Sequence, residues 1–162
     1  MTTIYSPFPP ADFPIVWRWL HEFPAANLDD FGPKDEADFI EMMHERAVKE
    51  KTWAVYHDGA LCGIVSYLPV TKRDGMFHGI CFTQSVHGKG VAKAAVYSVL
   101  QKLVRSGVDK VSAGFFADNP RVHRFLASLG GIDEGLLRRQ TVRDGIEIDI
   151  RLIAFFKENI CL

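Results

Sequence analysis

GICFTQSVHGKGVAKAAVYSVLQKLVRSG, residues 79–107, joins an apolar run to a glycine-basic turn and then to a strongly patterned helix. After Gly79 to Thr83, the turn His87-Gly88-Lys89-Gly90 leads into apolar residues at Val91, Ala95, Val99, Leu103 and at Ala92, Val96, Leu100, Val104. That spacing makes one buried helix face. Gly107 supplies a residue able to close the helix in the left-handed conformation. Gly88 and Gly90 let the backbone come close to a ligand, and a helix start presents unpaired amides and a partial positive charge. A phosphate or pyrophosphate is the guest such a turn suits.

Other nucleotide-binding turns fit less well. A Walker-type phosphate loop fails because Lys89 is followed by Gly90, not by Ser or Thr. A dinucleotide fingerprint beginning at Gly88 and Gly90 puts Lys93 where a third small residue belongs, although Asp109 lies about where a ribose-binding acid is expected. It would also need a long series of βα units that the rest of the chain does not offer.

Downstream, VSAGFFA (111–117) reads as a strand, and Asp118-Asn119-Pro120 reads as a helix cap with proline at the first helical position. Val122, Phe125, Leu126 and Leu129 then form one apolar stripe that Gly130-Gly131 stops. LLRRQTVRDGIEIDIRLIAFF (136–156) gives two strand-like runs about Asp144-Gly145, a strong hairpin signal.

His87-Gly88-Lys89-Gly90-Val91-Ala92 resembles motif A of the GNAT N-acetyltransferases, Q/R-x-x-G-x-G/A, which in that family holds the pyrophosphate of coenzyme A. The helix opened by Asn119 and ended at Leu129-Gly130 resembles the family's next block, with Gly131 in place of an aromatic residue. The C-terminal half looks most like the branch that includes the ribosomal-protein alanine acetyltransferases. The resemblance implies the α/β (α+β) GNAT fold: a mixed central sheet of about six to seven strands flanked by about four helices.

The N-terminal half fits that order. Thr2 to Tyr5 reads as a first strand, Ala11 to Phe23 and about Asp35 to Glu50 as helices, and FPAANLDDFGP (23–33) between them as a loop. TWAVYHDGALCGIVSYLP (52–69) reads as two strands about Asp58-Gly59. In the family the helix-loop-helix borders the acceptor pocket, so Trp17, Trp19, Phe31 and Phe39 either line it or fill the core.

Composition sets the remaining bounds. The 162 residues are expected to form one N-acetyltransferase domain spanning 1–162, and 48% hydrophobic content suits a packed core. With 19 basic and 20 acidic residues, no global charge draws the chain to nucleic acid or an anionic membrane. Local basic residues, Lys72, Arg73, His87, Lys89 and Lys93, either form a solvated face or serve the anion cradle. Cys62, Cys81 and Cys161 are odd in number and lie outside disulfide or zinc spacing, so reduced thiols and no metal are expected. The N-terminus has no secretory pattern and no segment has the length of a membrane span, which together suggest a cytoplasmic protein.

Acetyl transfer from acetyl-CoA to an amine requires a deprotonated amine and a stabilised leaving sulfur. The resemblance implies that backbone groups of Ile80, Cys81 and Phe82 pair with the pantetheine arm. It implies that His87 and the amides of Gly88, Lys89, Gly90, Val91 and Ala92 hold the pyrophosphate, and that Asn119 reaches the thiol end of the cofactor. Asn119 alternatively only caps its helix. Where many relatives carry, seven residues after that Asn, a tyrosine that protonates the leaving thiolate, this chain has Leu126, and where the branch often has Ser three residues after it, this chain has Val122. His78 is a candidate base on the fourth strand in a region where many relatives carry Glu. Asp149 is the other candidate, on the acidic face of the final hairpin. The alternatives to an active acetyltransferase are a coenzyme A-binding regulatory module that has lost its chemistry, and an acyltransferase using another acyl-CoA. The apolar last strand leaves room for a homodimer paired along its edge.

Overall fold

Two Asp-Gly turns frame the sheet, because both of their central residues take positive φ. Asp58 and Gly59 sit at φ 49° and 81°, Asp144 and Gly145 at 53° and 75°. That backbone matches the twist of two-residue hairpins. The first turn joins β2 (Lys51–His57) to β3 (Ala60–Pro69), and the second joins β6 (Ile132–Arg143) to β7 (Ile146–Phe156). A computed structural model describes residues 1–5 and 7–161, the side chains of Tyr5, Ala25 and Ala26 excepted.

The remaining strands are β1 (Thr2–Tyr5), β4 (Asp74–Phe82) and β5 (Lys110–Phe116). All seven form one sheet in the order β1-β2-β3-β4-β5-β7-β6. The β4–β5 pair is parallel and the other pairs are antiparallel. The helices are α1 (Phe13–Leu20), α2 (Pro24–Asn27), α3 (Glu36–Ala47), α4 (Val91–Arg105) and α5 (Pro120–Ala127). Four of these have eight residues or more, as the resemblance implies.

Side-chain alternation divides the core between the two faces of the sheet. Trp53, Val65 and Phe77 join Val96, Val99 and Leu100 of α4, together with Leu126 of α5. Ala54, Ile64 and Cys81 join Phe13, Val16 and Trp19 of α1 with Phe39 and Met43 of α3.

Several expectations change in detail. The first helix starts at Phe13, after a 3-10 turn over Pro10–Asp12, and ends at Leu20. Part of the expected loop is the single turn α2, opened by Pro24, and α3 stops at Ala47 instead of running to Glu50. The last strand is not an edge, because β7 lies between β5 and β6. Its Ile153, Ala154 and Phe155 are buried on the sheet faces, so its apolar richness is core material. The exposed edges are β1 and β6, and β6 carries the exposed Ile132, Leu136 and Leu137.

Candidate functional site

β4 and β5 pair only from Asp74 opposite Lys110 to Phe77 opposite Ala113. Both strands continue, to Phe82 and Phe116, without pairing to each other. The cause is local. On β3, Ser66 faces Gly79 while the next residue, Tyr67, faces Phe77, so His78 is an extra residue in a β-bulge. A bulge bends its strand and strengthens the local twist, which turns β4 away from β5 and opens a slot between them. Ile80, Cys81 and Phe82 lie along this slot and pair on their other side with Val65, Ile64 and Gly63. Burial, with the charge of Glu22 adding to it, pushes the Cys81 thiol up to about 12, so at neutral pH this side chain is an uncharged core group.

Past the slot the chain turns into α4. Gly88 and Gly90 have φ of +74° and +75°, and a Cβ built on either would meet nothing within 4 Å. The amides of Val91, Ala92 and Lys93 precede the first helical bond, from Ala94 N–H to Gly90 O at 3.0 Å. This is an open cradle of donors at a helix N-terminus. Glu22, just after α1, fixes the approach: it accepts from Thr83 Oγ1 at 3.0 Å and from the Gln84 amide at 2.6 Å.

His87 lies between slot and cradle. Its Nε2 donates to Phe82 O at 3.2 Å, since a carbonyl only accepts, which leaves Nδ1 as an acceptor. Nδ1 is buried and without a partner. The ring stacks on Phe23 at 5.3 Å, and Arg121 lies over the other partner of that stack, 5.5 Å from the Phe23 ring. Beyond the cradle runs an open groove of about 560 Å³ that includes Gly90, Lys93, Tyr97, Ser128 and Asn159. Slot and cradle follow one another along the chain, and Gly90 is common to cradle and groove. Tyr97, Ser128 and Asn159 escaped the sequence reading because they come from three separate elements; Gly90, in the glycine turn, and Lys93, in the basic cluster, carried a signal.

On the face covered by α1 and α3, His78 meets two charged residues. Its Nδ1 is hydrogen-bonded to Glu50 Oε1, and its carbonyl accepts from Arg46 Nη2 at 2.9 Å. Arg46 also donates to both oxygens of Glu50, at 2.8 and 3.0 Å. The Glu50 side chain is 3% exposed and that of His78 is 44% exposed. Burial works against the Glu50 charge, yet the hydrogen bonds and charges of Arg46 and His78 hold its carboxyl below the ordinary 4.5.

The other candidates sit apart. Asn119 Oδ1 accepts from the Val122 amide at 3.2 Å, capping α5. Leu126 is 2% exposed within the α4 core. Asp149 Oδ1 accepts from the Arg139 amide at 2.7 Å, bracing a β6 bulge in which residues 138–140 stand between Leu137 opposite Ile150 and Thr141 opposite Ile148. Because β4 is level with Ala113 and Ile153 where the slot opens, Asp149 lies four residues along β7, roughly 13 Å away along the strand. The structure therefore does not bring His78 and Asp149 together. Of the aromatics, Trp19 and Phe39 are core, Trp17 packs on Phe39 at 5.4 Å, and Phe31 is exposed.

The loop after α2 is tied to the last hairpin. Asp30 accepts from the amides of Asp144 and Gly145 at 2.9 and 3.0 Å, and its own amide donates to Val142 O at 2.8 Å. Asp29 accepts from Thr141 Oγ1 at 2.6 Å.

The profile of the acetyltransferase (GNAT) family matches residues 13–130, which include the slot, the cradle and Asn119. The chain belongs to the GNAT acetyltransferase family. It is thus an acetyl-CoA-dependent N-acetyltransferase, with the mixed sheet of that fold. No curated protein matches this sequence. Among solved structures it is similar to the spermidine N-acetyltransferase from Vibrio cholerae in complex with CoA and spermine, at 16% identity and TM-score 0.82, covering 98% of this chain and 97% of that one. It is also similar to a putative acetyltransferase from Salmonella typhimurium with acetyl-CoA, at 16% identity and TM-score 0.76, covering 97% and 94%. At such identities the likeness is one of fold. Among the described residues, no helix of this GNAT protein is long and apolar enough to cross a membrane.

Proposed function

We propose that this GNAT enzyme acetylates an amine of lowered basicity, a peptide α-amine ahead of a lysine side chain, as in the branch its C-terminal half resembles. Acetyl-CoA binds with its pantetheine arm along Ile80, Cys81 and Phe82, and its pyrophosphate on the amides of Gly88 to Ala92, at a turn that His87 fixes through its bond to Phe82 O. Asn119 stands at the thiol end. The observation that carries the cofactor placement is the end of β4–β5 pairing at Phe77 and Ala113, directly upstream of the open glycine cradle. An extended pantetheine adds to a strand edge as a peptide does, by backbone hydrogen bonds.

The acceptor enters from the α1–α3 side of the slot, under the loop that Asp29 and Asp30 tie to the hairpin. Its nitrogen loses a proton, attacks the thioester carbonyl carbon and displaces the thiol of coenzyme A. His78 is the better presented of the two candidate bases: its ring is partly exposed, whereas Asp149 is occupied with the Arg139 amide. Position supplies much of the rate, because holding amine and thioester together replaces a bimolecular encounter. Leu126 and Val122 leave the departing thiolate to water or backbone groups.

The test is mass spectrometry of products after incubation with acetyl-CoA and a panel of free α-amine peptides, N-blocked lysine peptides and spermidine. Acetylated α-amine peptide as the leading product supports the proposal. Spermidine or lysine peptide as the leading product refutes the acceptor assignment, and a product only with a longer acyl-CoA refutes the donor.

A further inference from the structure

We propose that Glu50 is a positioning residue for His78, and that the two form a carboxylate-histidine base whose geometry Arg46 fixes; this rests on the acetyltransferase reading above. Arg46 at the end of α3 and Glu50 in the turn after it are four residues apart, whereas His78 lies 28 residues beyond Glu50, in the β4 bulge. The bulge makes the contact possible: the extra residue brings the His78 ring toward the α3 side, where Nδ1 bonds Glu50 Oε1. Arg46 clamps both ends of the pair, through both Glu50 oxygens and through the His78 carbonyl. Among the described residues, Arg46 from α3 and Glu50 from the turn after it are the charged groups in contact with His78.

The chemical reason is tautomer control. An ionised carboxylate only accepts, so its bond to Nδ1 requires N–H there and leaves the lone pair on Nε2, on a side chain that is 44% exposed. The same carboxylate favours the imidazolium formed when Nε2 takes a proton. In the reaction, Nε2 removes one proton from the acceptor ammonium. The neutral amine then forms the C–N bond, the C–S bond breaks, and the second amine proton leaves with the thiolate as coenzyme A thiol. His78 returns its proton to solvent.

The experiment is a set of pH profiles of kcat and kcat/KM, with acetyl-CoA and an α-amine peptide, for wild type, Glu50→Gln, His78→Gln and the double variant. His78→Gln, at a partly exposed position, is expected to keep its fold and its cofactor affinity and to lose about 10²-fold in kcat. Glu50→Gln is expected to move the acidic limb of the profile to lower pH, because the imidazolium loses its carboxylate partner. The double variant should match His78→Gln alone, since Glu50 acts only through the histidine. An unmoved limb in Glu50→Gln, or losses that multiply in the double variant, would overturn the proposal. Failure of the wild type to form product would overturn the acetyltransferase reading first, and the dyad with it.

Discussion

Phe77 and Ala113 are the last residues at which β4 and β5 face each other as partners. One residue further, the bulge at His78 bends β4 away, so a single extra residue both opens the slot proposed for the cofactor and leaves His78 against Glu50 on the α3 side. Slot and candidate base are thus products of one backbone irregularity.

Gly90→Val is expected to abolish acetyl-CoA binding. Ligand at a hundred times its dissociation constant stabilises a fold by about 2.7 kcal/mol, or roughly 5–10 °C for a domain of this size. Valine at φ +75° also strains the backbone by about 1–3 kcal/mol, so a control is needed. Gly59→Val supplies it: φ there is +81° with equal open space, but the position lies in the β2–β3 turn. By differential scanning fluorimetry both variants should melt several degrees lower without ligand, and only Gly59→Val should retain the ligand shift.

Asp30→Ala is expected to loosen the roof of the acceptor site. The carboxylate holds two turn amides, and a hydrogen bond to a charged group contributes about 1.5–3 kcal/mol when well formed. Amide exchange at Asp144 and Gly145 should quicken and the KM for the amine should rise, while cofactor affinity holds. An unchanged KM would detach this loop from acceptor binding.

The amine preference follows from protonation. At pH 7 deprotonating a lysine amine costs about 4.6 kcal/mol, and an α-amine about 1.1. A positioned base contributes about 3–5 kcal/mol, enough to help either amine but not to erase the difference. The expected outcome is a higher kcat/KM at pH 7 for an α-amine peptide than for its N-blocked lysine counterpart, with the gap narrowing as pH rises. An Asp149→Asn variant with an unchanged pH profile would exclude Asp149 as the base.

Glu50 also ties stability to pH. Its folded carboxyl titrates below the ordinary 4.5, so its contribution is present above that value and is lost as pH falls through the lowered one. Glu50→Gln should therefore reduce stability by about 1–3 kcal/mol at pH 7 by urea denaturation. The difference from wild type should shrink below about pH 4.5.

Much of the fold was legible because its signals are local. Asp58-Gly59 and Asp144-Gly145 announce two-residue turns, and Gly107 and Gly130, at φ 98° and 90°, do follow helix ends. The cradle was legible for the same reason, its glycines being contiguous with the helix they precede. Non-local features were not. The contact between Glu50 and His78 spans 28 residues and depends on a bulge whose position no short motif marks. The insertion of β7 between β5 and β6 follows from burial on both of its faces, whereas apolar richness alone fits an edge strand equally well.

Hydrogen exchange of the backbone amides with and without millimolar acetyl-CoA tests the central assignment most directly. Slowed exchange is expected at Ile80 to Phe82 and at Gly88 to Ala92, with the β2–β3 turn at Asp58 and Gly59 unchanged. Protection absent from both segments, or confined to another part of the sheet, would contradict it.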